Sequence, residues 1–468
     1  MATTSMPLSA AAAAATAAAV PTPHPLLVGA ILPTLLRLAL PTTIAMVATA
    51  LVAIAETAYV GILGTPQLAG LALVFPMVML QQTMSAGAMG GGISSAISRA
   101  LGAGDVERAA KLAQHAFLIG AGAGLTFFAL FQLFGSAIYG LLGGRGGVLA
   151  EALAYSNVVF FGAPGIWLAN TFASVLRGTG NMVVPSKVLL TVAAAQILIG
   201  GTFGLGLGPV PRLGMAGVAL GQVIAFSAGA LYLYWHLASG RARITLSLST
   251  VSPSWDMLRD ILKVGAIACI SPLQTILSVL IVTRLVSELG TEALAGYGIG
   301  ARLEFLLIPI TFAVGVASVP MVGMAVGAGE IARARRVAWT AGTVATAALT
   351  VIGVLVALFP LLWAGLFTSD AAILASAETY LRWAGPFYGL FGLGLCLYFA
   401  SQGSGKILGP VLAGTVRLLV VLVGGLWLVS MNAPAWQLFA LVGVAMAVYG
   451  VATAFSLWIA DWGPQRQN

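Results

Sequence analysis

Charge is what this sequence has least of. Only 7% of its 468 residues are charged, where an ordinary soluble protein is roughly a quarter charged. Hydrophobic residues make up 60% and the mean hydropathy is +1.02. That composition excludes one large soluble core and leaves a polytopic membrane protein. Histidine is scarce as well. His24, His115 and His236 stand in the N-terminal tail or near span ends, so no histidine-based metal or catalytic site is expected. Cys269 and Cys396 lie far apart in apolar stretches. They form no disulfide framework and no metal spacing, and read as small core residues. There is no Walker A motif, so the chain does not itself hydrolyse ATP, and no HExxH motif. The sequence contains neither a catalytic constellation nor a sizeable polar domain. It is therefore not read as a membrane enzyme or a non-transporting receptor, and no cofactor is expected beyond a coupling ion.

The net charge of +8 is not gathered into a tract, so nucleic acid is not an expected partner. The bilayer is. Twelve apolar spans can each cross the roughly 30 Å hydrocarbon layer as a helix: approximately 36–63, 67–98, 107–142, 149–176, 185–207, 214–237, 257–287, 293–325, 332–366, 372–400, 407–430 and 435–460. The loops after the even-numbered spans hold Arg99, Arg108, Lys111, Arg241, Arg243, Arg259, Lys263, Arg333, Arg335 and Arg336. The opposite loops hold little beyond Arg145 and Arg212. This bias predicts both termini in the cytoplasm and an inner-membrane, multi-pass location. Residues 1–30 are Ala-rich without Lys or Arg. They fit neither a secretory signal nor a transit peptide, and read as a mobile cytoplasmic tail.

An internal repeat organises the spans. Leu68-Ala69-Gly70 recurs as Leu294-Ala295-Gly296. Gly102-Ala103-Gly104-Asp105 recurs as Gly327-Ala328-Gly329-Glu330, and Arg177-Gly178-Thr179-Gly180-Asn181 as Gln402-Gly403-Ser404-Gly405-Lys406. The offset is 225 or 226 residues throughout. Six spans separate the copies, so both halves have the same orientation, related by an axis along the membrane normal. The predicted fold is all-α and polytopic, with twelve transmembrane helices in two six-helix bundles related by pseudo-twofold symmetry. Its divisions are a tail (1–30), an N-terminal half (31–238), a cytoplasmic linker (239–256), a C-terminal half (257–462) and a C-terminal tail (463–468).

Of thirteen acids, only Glu56 and Glu304 are committed to the membrane. A charge in hydrocarbon costs several kcal/mol, so an intramembrane acid is by default a proton, ion or substrate site. Glu56 lies about twenty residues into the first span, on the side away from its cytoplasmic start. It is the candidate proton-coupling residue; a hydrated acid at the outer interface is the bland reading. Glu304 has Arg284 as a candidate ion-pair partner, and a structural pair is as good a reading as a functional one. The amides Gln196, Asn157, Asn170 and Gln274 and the aromatics Phe160 and Trp167 are candidates for lining a substrate cavity, against the alternative that they bond or pack neighbouring helices. No metal site is indicated.

Taken together, the motifs resemble the MATE (multidrug and toxic compound extrusion) transporters. Glu56-Thr57-Ala58-Tyr59-Val60-Gly61 resembles the first-helix Asp-Thr-x-x-x-Gly motif of that family. The Gly-Ala-Gly-Asp turn at 102–105, Arg177-Gly178-Thr179-Gly180-Asn181 before Pro185, and the stretch from Gly208 to Gly217 also match. The resemblance covers about residues 31–462 and looks closest to the DinF-like branch. It implies a V-shaped pair of six-helix bundles around a cavity, and a monomer exporting amphipathic or cationic compounds by alternating access against protons or sodium. It also implies a polar cluster of a first-helix acid with an Asn-x-x-x-Asp pair on the fifth helix. By position these are Glu56, Gln196 and Gly200, so the second acid is missing. The seventh-helix acid of sodium-coupled members is missing too: that region reads Ser271-Pro272-Leu273-Gln274-Thr275-Ile276. A proton needs one buried carboxylate, whereas sodium prefers several oxygen ligands, so proton antiport is the expectation. The alternatives are sodium coupling, and a lipid-linked or polymer flippase, for which mid-span basic residues are too few.

Overall fold

Continuous apolar sequence forms helix in a bilayer because helix satisfies every backbone donor and acceptor within the segment. A computed structural model describes residues 25–247 and 252–463. Among them, eleven continuous membrane-length helices and one bent pair occur in chain order: α1 (Ile31–Leu63), α2 (Thr65–Gly102), α3 (Val106–Leu141), α4 (Gly146–Phe161 and Ala163–Gly178, bent by 47°), α5 (Val183–Leu205), α6 (Gly214–Ala238), α7 (Trp255–Ser287), α8 (Thr291–Gly327), α9 (Ile331–Leu358), α10 (Ala371–Ser404), α11 (Leu408–Ser430) and α12 (Ala435–Ile459). The chain is an all-helical, multi-pass membrane protein.

The repeated motifs end helices by the same device. Gly104 and Gly329 have φ of +81° and +79°, and Gly180 and Gly405 have +86° and +77°. This is the left-handed conformation that terminates a helix at low cost only for glycine. Asp105 then caps α3, its Oδ1 accepting from Arg108 N at 2.8 Å. Glu330, its counterpart, leads into α9 without a side-chain cap. Packing repeats as well. A methyl group at Gly70 on α2 would fall 2.9 Å from Ala152 N on α4, and one at Gly296 on α8 would fall 2.6 Å from Ala377 N on α10.

The two halves meet where α2 crosses α8, near the end of the molecule that carries the linker. A methyl group at Gly102 would lie 2.2 Å from Met324 O, and one at Gly327 would lie 2.0 Å from Arg99 O. Gly102 and Gly327 are repeat counterparts, and so are Arg99 and Met324. Ser98 and its counterpart Gly323 face each other, with a methyl at Gly323 only 1.9 Å from Ser98 Oγ. Residue i touches j while j's twin touches i's twin, as at a twofold interface. The pseudo-twofold axis therefore passes between Ser98 and Gly323.

Ion pairs reinforce this end. Asp260 of α7 accepts from Arg99 of α2 at 2.8 Å and from Arg108 of α3 at 3.0 Å. Ser95 donates to the Gln402 carbonyl. Gly92 meets Gly265 backbone to backbone, with a built methyl 2.6 Å from Gly265 N.

Three expectations need correcting. The first span starts at Ile31 rather than 36, and its outer face exposes Leu32, Leu36 and Leu40. The tail predicted for 1–30 includes a short helix at Pro25–Val28. It is held because Arg333 donates to the Leu26 and Gly29 carbonyls at 3.0 and 2.6 Å. The linker ends at 254, and Ile244 and Leu246 within it are buried. Residues 1–24 of the predicted N-terminal tail, 248–251 of the linker and 464–468 of the C-terminal tail lie outside the described residues.

Asp260→Asn removes the carboxylate shared by Arg99 and Arg108, leaving Arg108 with Asp256 at 3.7 Å, at a cost of about 1–3 kcal/mol for charged hydrogen bonds. Spin labels at Glu107→Cys and Ala332→Cys, one on each half at this end, should then show a larger population of long separations. An unchanged distance distribution would mean that the ion pairs do not hold the halves together.

Candidate functional site

Within the first six helices, α1, α2, α4, α5 and α6 enclose a cavity. Its walls are mostly apolar, with Phe75 and Met79 from α2 and Phe226 from α6. The polar groups converge on one point. Glu56 Oε1 on α1 accepts from Gln196 Nε2 on α5 at 2.7 Å. The hydroxyl of Tyr155 on α4 faces the same carboxylate. Gln82 and Gln222 add amides to the wall. Glu56 is the one charged side chain lining this cavity. It is half-buried, whereas Gln196 and Tyr155 are buried.

Local sequence explains the placement. Gln196 and Glu56 meet because α5 packs along α1, and Gly201 receives the Tyr59 ring, a methyl there lying 3.0 Å from Tyr59 Cζ. Gly200, at the position of the missing acid, packs on α6. A methyl at Gly221 would fall 2.5 Å from Gly200 N, and one at Gly200 would fall 3.1 Å from Val218 O. The position that would hold a second carboxylate is thus spent on a close helix crossing. α2 carries a wider π-helical turn at Thr83–Met89, just below Gln82. Such turns disrupt the regular backbone ladder and recur at functional sites.

Of the residues singled out from sequence, only Glu56 and Gln196 line this cavity. Asn170 sits one step behind it, donating to Gln82 Oε1 at 3.1 Å and Ser85 Oγ at 2.8 Å. Asn157 is exposed on the outer side of α4. Phe160 is core, stacked on Phe131 with centroids 3.7 Å apart. Trp167 is core as well, against Phe127. Gln274 belongs to the C-terminal half, donating to Thr415 Oγ1 at 2.8 Å. Asn157, Phe160, Trp167 and Gln274 thus do not line this cavity.

Glu304 does not pair with Arg284. Arg284 pairs instead with Glu288 at 3.1 Å, one helical turn away on its own helix. Glu304 accepts from the Tyr380 hydroxyl, with Tyr388 and Arg417 facing it. Arg417 lies over the Phe391 and Tyr449 rings at 5.2 and 5.7 Å. Tyr380 is the repeat counterpart of Tyr155, 225 residues on. Each half thus uses the same tyrosine to address an acid, on its first helix in one half and its second in the other.

Sequence reasoning missed Tyr155, Gln222 and Arg417. Arg417 had a usable signal, a lone cation mid-way through an apolar span. Gln222 had the same signal as Gln196, an amide alone in its span. Tyr155 had none, because only packing tells a cavity wall from a lipid face.

The close crossing at Gly200 makes a prediction. Gly200→Asp should lower thermal stability by about 1–3 kcal/mol, an overpacking cost, instead of restoring a two-acid cluster. A variant melting like the wild type would show room beside α6 that the backbone contact denies.

The MatE family model matches residues 41–202 and again 268–427. The two matches fall one in each half and together cover more than half of the chain. An FAD transporter from Shewanella oneidensis is 24% identical over 366 residues, 77% of this chain and 79% of that protein. A probable multidrug resistance protein NorM from Thermotoga maritima is 26% identical over 339 residues, 71% of each. A solved structure of a MOP superfamily transporter from Pyrococcus furiosus superposes with a TM-score of 0.86 at 23% identity, over 93% of this chain and 97% of that one. The doubled match and the two-half architecture lead to one conclusion: this chain belongs to the MatE family of membrane transporters.

Proposed function

We propose that this protein is a proton-coupled exporter of amphipathic, cationic organic compounds. The observation that carries the reading is the cavity wall: one carboxylate, three amides and a tyrosine among apolar and aromatic side chains, with no lysine or arginine. An apolar pocket with aromatic faces and one acid suits a flat organic cation. The same wall is poorly suited to an anion such as a flavin dinucleotide or a lipid-linked pyrophosphate, because it offers no cation to meet the phosphates.

Coupling follows from competition for one group. Glu56 carries either a proton or the charge that neutralises a bound cation, so entry of a proton favours release of the substrate. Gln196 Nε2 stabilises the charged form as a hydrogen-bond donor, and the Tyr155 hydroxyl is placed to do the same. The sodium alternative has less support. Sodium prefers several oxygen ligands, and here a single carboxylate faces amide and phenol groups. Both described chain ends lie beside the basic first turn of α9, since Arg333 binds the Leu26 carbonyl and Arg335 binds the Ala460 carbonyl at 2.5 Å. The linker end is therefore read as cytoplasmic by its arginine content. With the halves in contact at that end, this conformation would be closed to the cytoplasm.

In reconstituted vesicles, a fluorescent organic cation should be carried against an imposed proton gradient, and sodium alone should not drive it. Glu56→Gln preserves size and hydrogen bonding but cannot ionise, and its transport should fall to that of empty vesicles. Wild-type transport by this variant would remove Glu56 from the mechanism. Sodium-driven transport without a proton gradient would overturn the coupling.

A further inference from the structure

At the start of α1, well before the residues that line the Glu56 cavity, α1 and α9 leave a groove at the linker end. Ile31 and Leu32 form one wall, and Arg336, Trp339, Thr340 and Val344 form the other. The α9 residues follow i, i+3, i+4 and i+8 spacing, one face of a helix. The groove crosses the seam between the halves, since α1 belongs to the first and α9 to the second.

Its charge is uncompensated. Arg333, Arg335 and Arg336 crowd the first turns of α9. Arg333 is taken up by the Leu26 and Gly29 carbonyls. Arg335 is taken up by the Ala460 and Trp458 carbonyls, at 2.5 and 3.3 Å, and lies over the Trp462 ring. Arg336 is exposed and has no hydrogen bond or ion pair among the described residues, and no acid lines the groove. One turn further along, the Thr340 hydroxyl is likewise without a partner. Below these donors the groove turns apolar. Leu32 and Trp339 are 45% and 36% exposed there, continuous with the leucines that face the bilayer along α1.

We propose that this groove holds one anionic phospholipid. Its phosphate would be bound by Arg336 with Thr340, and an acyl chain would lie along Ile31, Leu32, Trp339 and Val344. A cation above an apolar channel at the membrane boundary matches both parts of such a lipid, and basic pockets between membrane helices take acidic headgroups in this way. A free phosphate shares the headgroup chemistry but gains nothing from the apolar channel. Because one wall comes from each half, the lipid binds the arrangement in which the linker end is closed, and stabilises it by mass action.

The test uses full-length protein purified in a neutral detergent, titrated with phosphatidylglycerol or phosphatidylcholine while the melting midpoint is followed. Phosphatidylglycerol should raise the midpoint saturably and phosphatidylcholine should not. Arg336→Gln should keep the lipid-free midpoint and lose most of the rise. Arg241→Gln, an exposed arginine at the same end that lies over Trp235, should keep it. Spin labels at Glu107→Cys and Ala332→Cys should shift toward the short separation on adding phosphatidylglycerol, and fail to shift with Arg336→Gln. An equal rise in Arg336→Gln and wild type would overturn the site. An equal rise with inorganic phosphate alone would overturn the lipid and leave a free-anion pocket.

Discussion

Everything in this architecture depends on how closely α2 and α8 can approach at the linker end. In a bilayer, apolar side chains gain little by leaving lipid for protein, so helices associate through close contact and interhelical hydrogen bonds. Gly102 against Met324 O and Gly327 against Arg99 O bring backbone onto backbone across the pseudo-twofold axis. Any side chain at either glycine would separate the halves there. That end is closed and tied by Asp260, and the alternating access that the proposed function entails needs this contact to be breakable. Ion pairs that are only partly buried are suited to that: they hold modestly and exchange readily with water.

The Glu56 cavity follows a second constraint, the cost of charge in an apolar surround. The structure meets it by surrounding one carboxylate with an amide donor and a phenol, leaving part of it open to the cavity. Glu304 is treated differently. It accepts from Tyr380, with Tyr388 beside it and Arg417 as counter-charge. The same repeat that places Tyr155 and Tyr380 at equivalent positions thus supports an acid met by an amide in one half and an acid met by an arginine in the other. The scaffold repeats, while the acid stands on the first helix of one unit and on the second of the other.

Much of the fold was legible from sequence. Apolar length and glycine-acid turns recurring 225 residues apart follow from local physics: helix in lipid must satisfy its own backbone, and a left-handed turn needs glycine. The site was legible in part. Glu56 stood out because an intramembrane acid is costly wherever it lies, and Gln196 because an amide stood alone in its span. Asn157, Phe160, Trp167 and Gln274 looked like equally good lining residues, and all four face elsewhere.

The sequence by itself determined the membrane-spanning helices, the doubled unit, the scarcity of charge and the identity of the one acid near the far end of α1. The tertiary structure alone decided which face of each helix meets cavity, core or lipid. Those faces are set by rotations and crossings of under one helical turn, and long apolar spans, hydrophobic all round, carry no periodic signal to fix them. That is why Tyr155 was invisible until α4 was seen to close around Glu56. It is also why Gly200, which reads in sequence as a missing carboxylate, is in three dimensions a contact between helices.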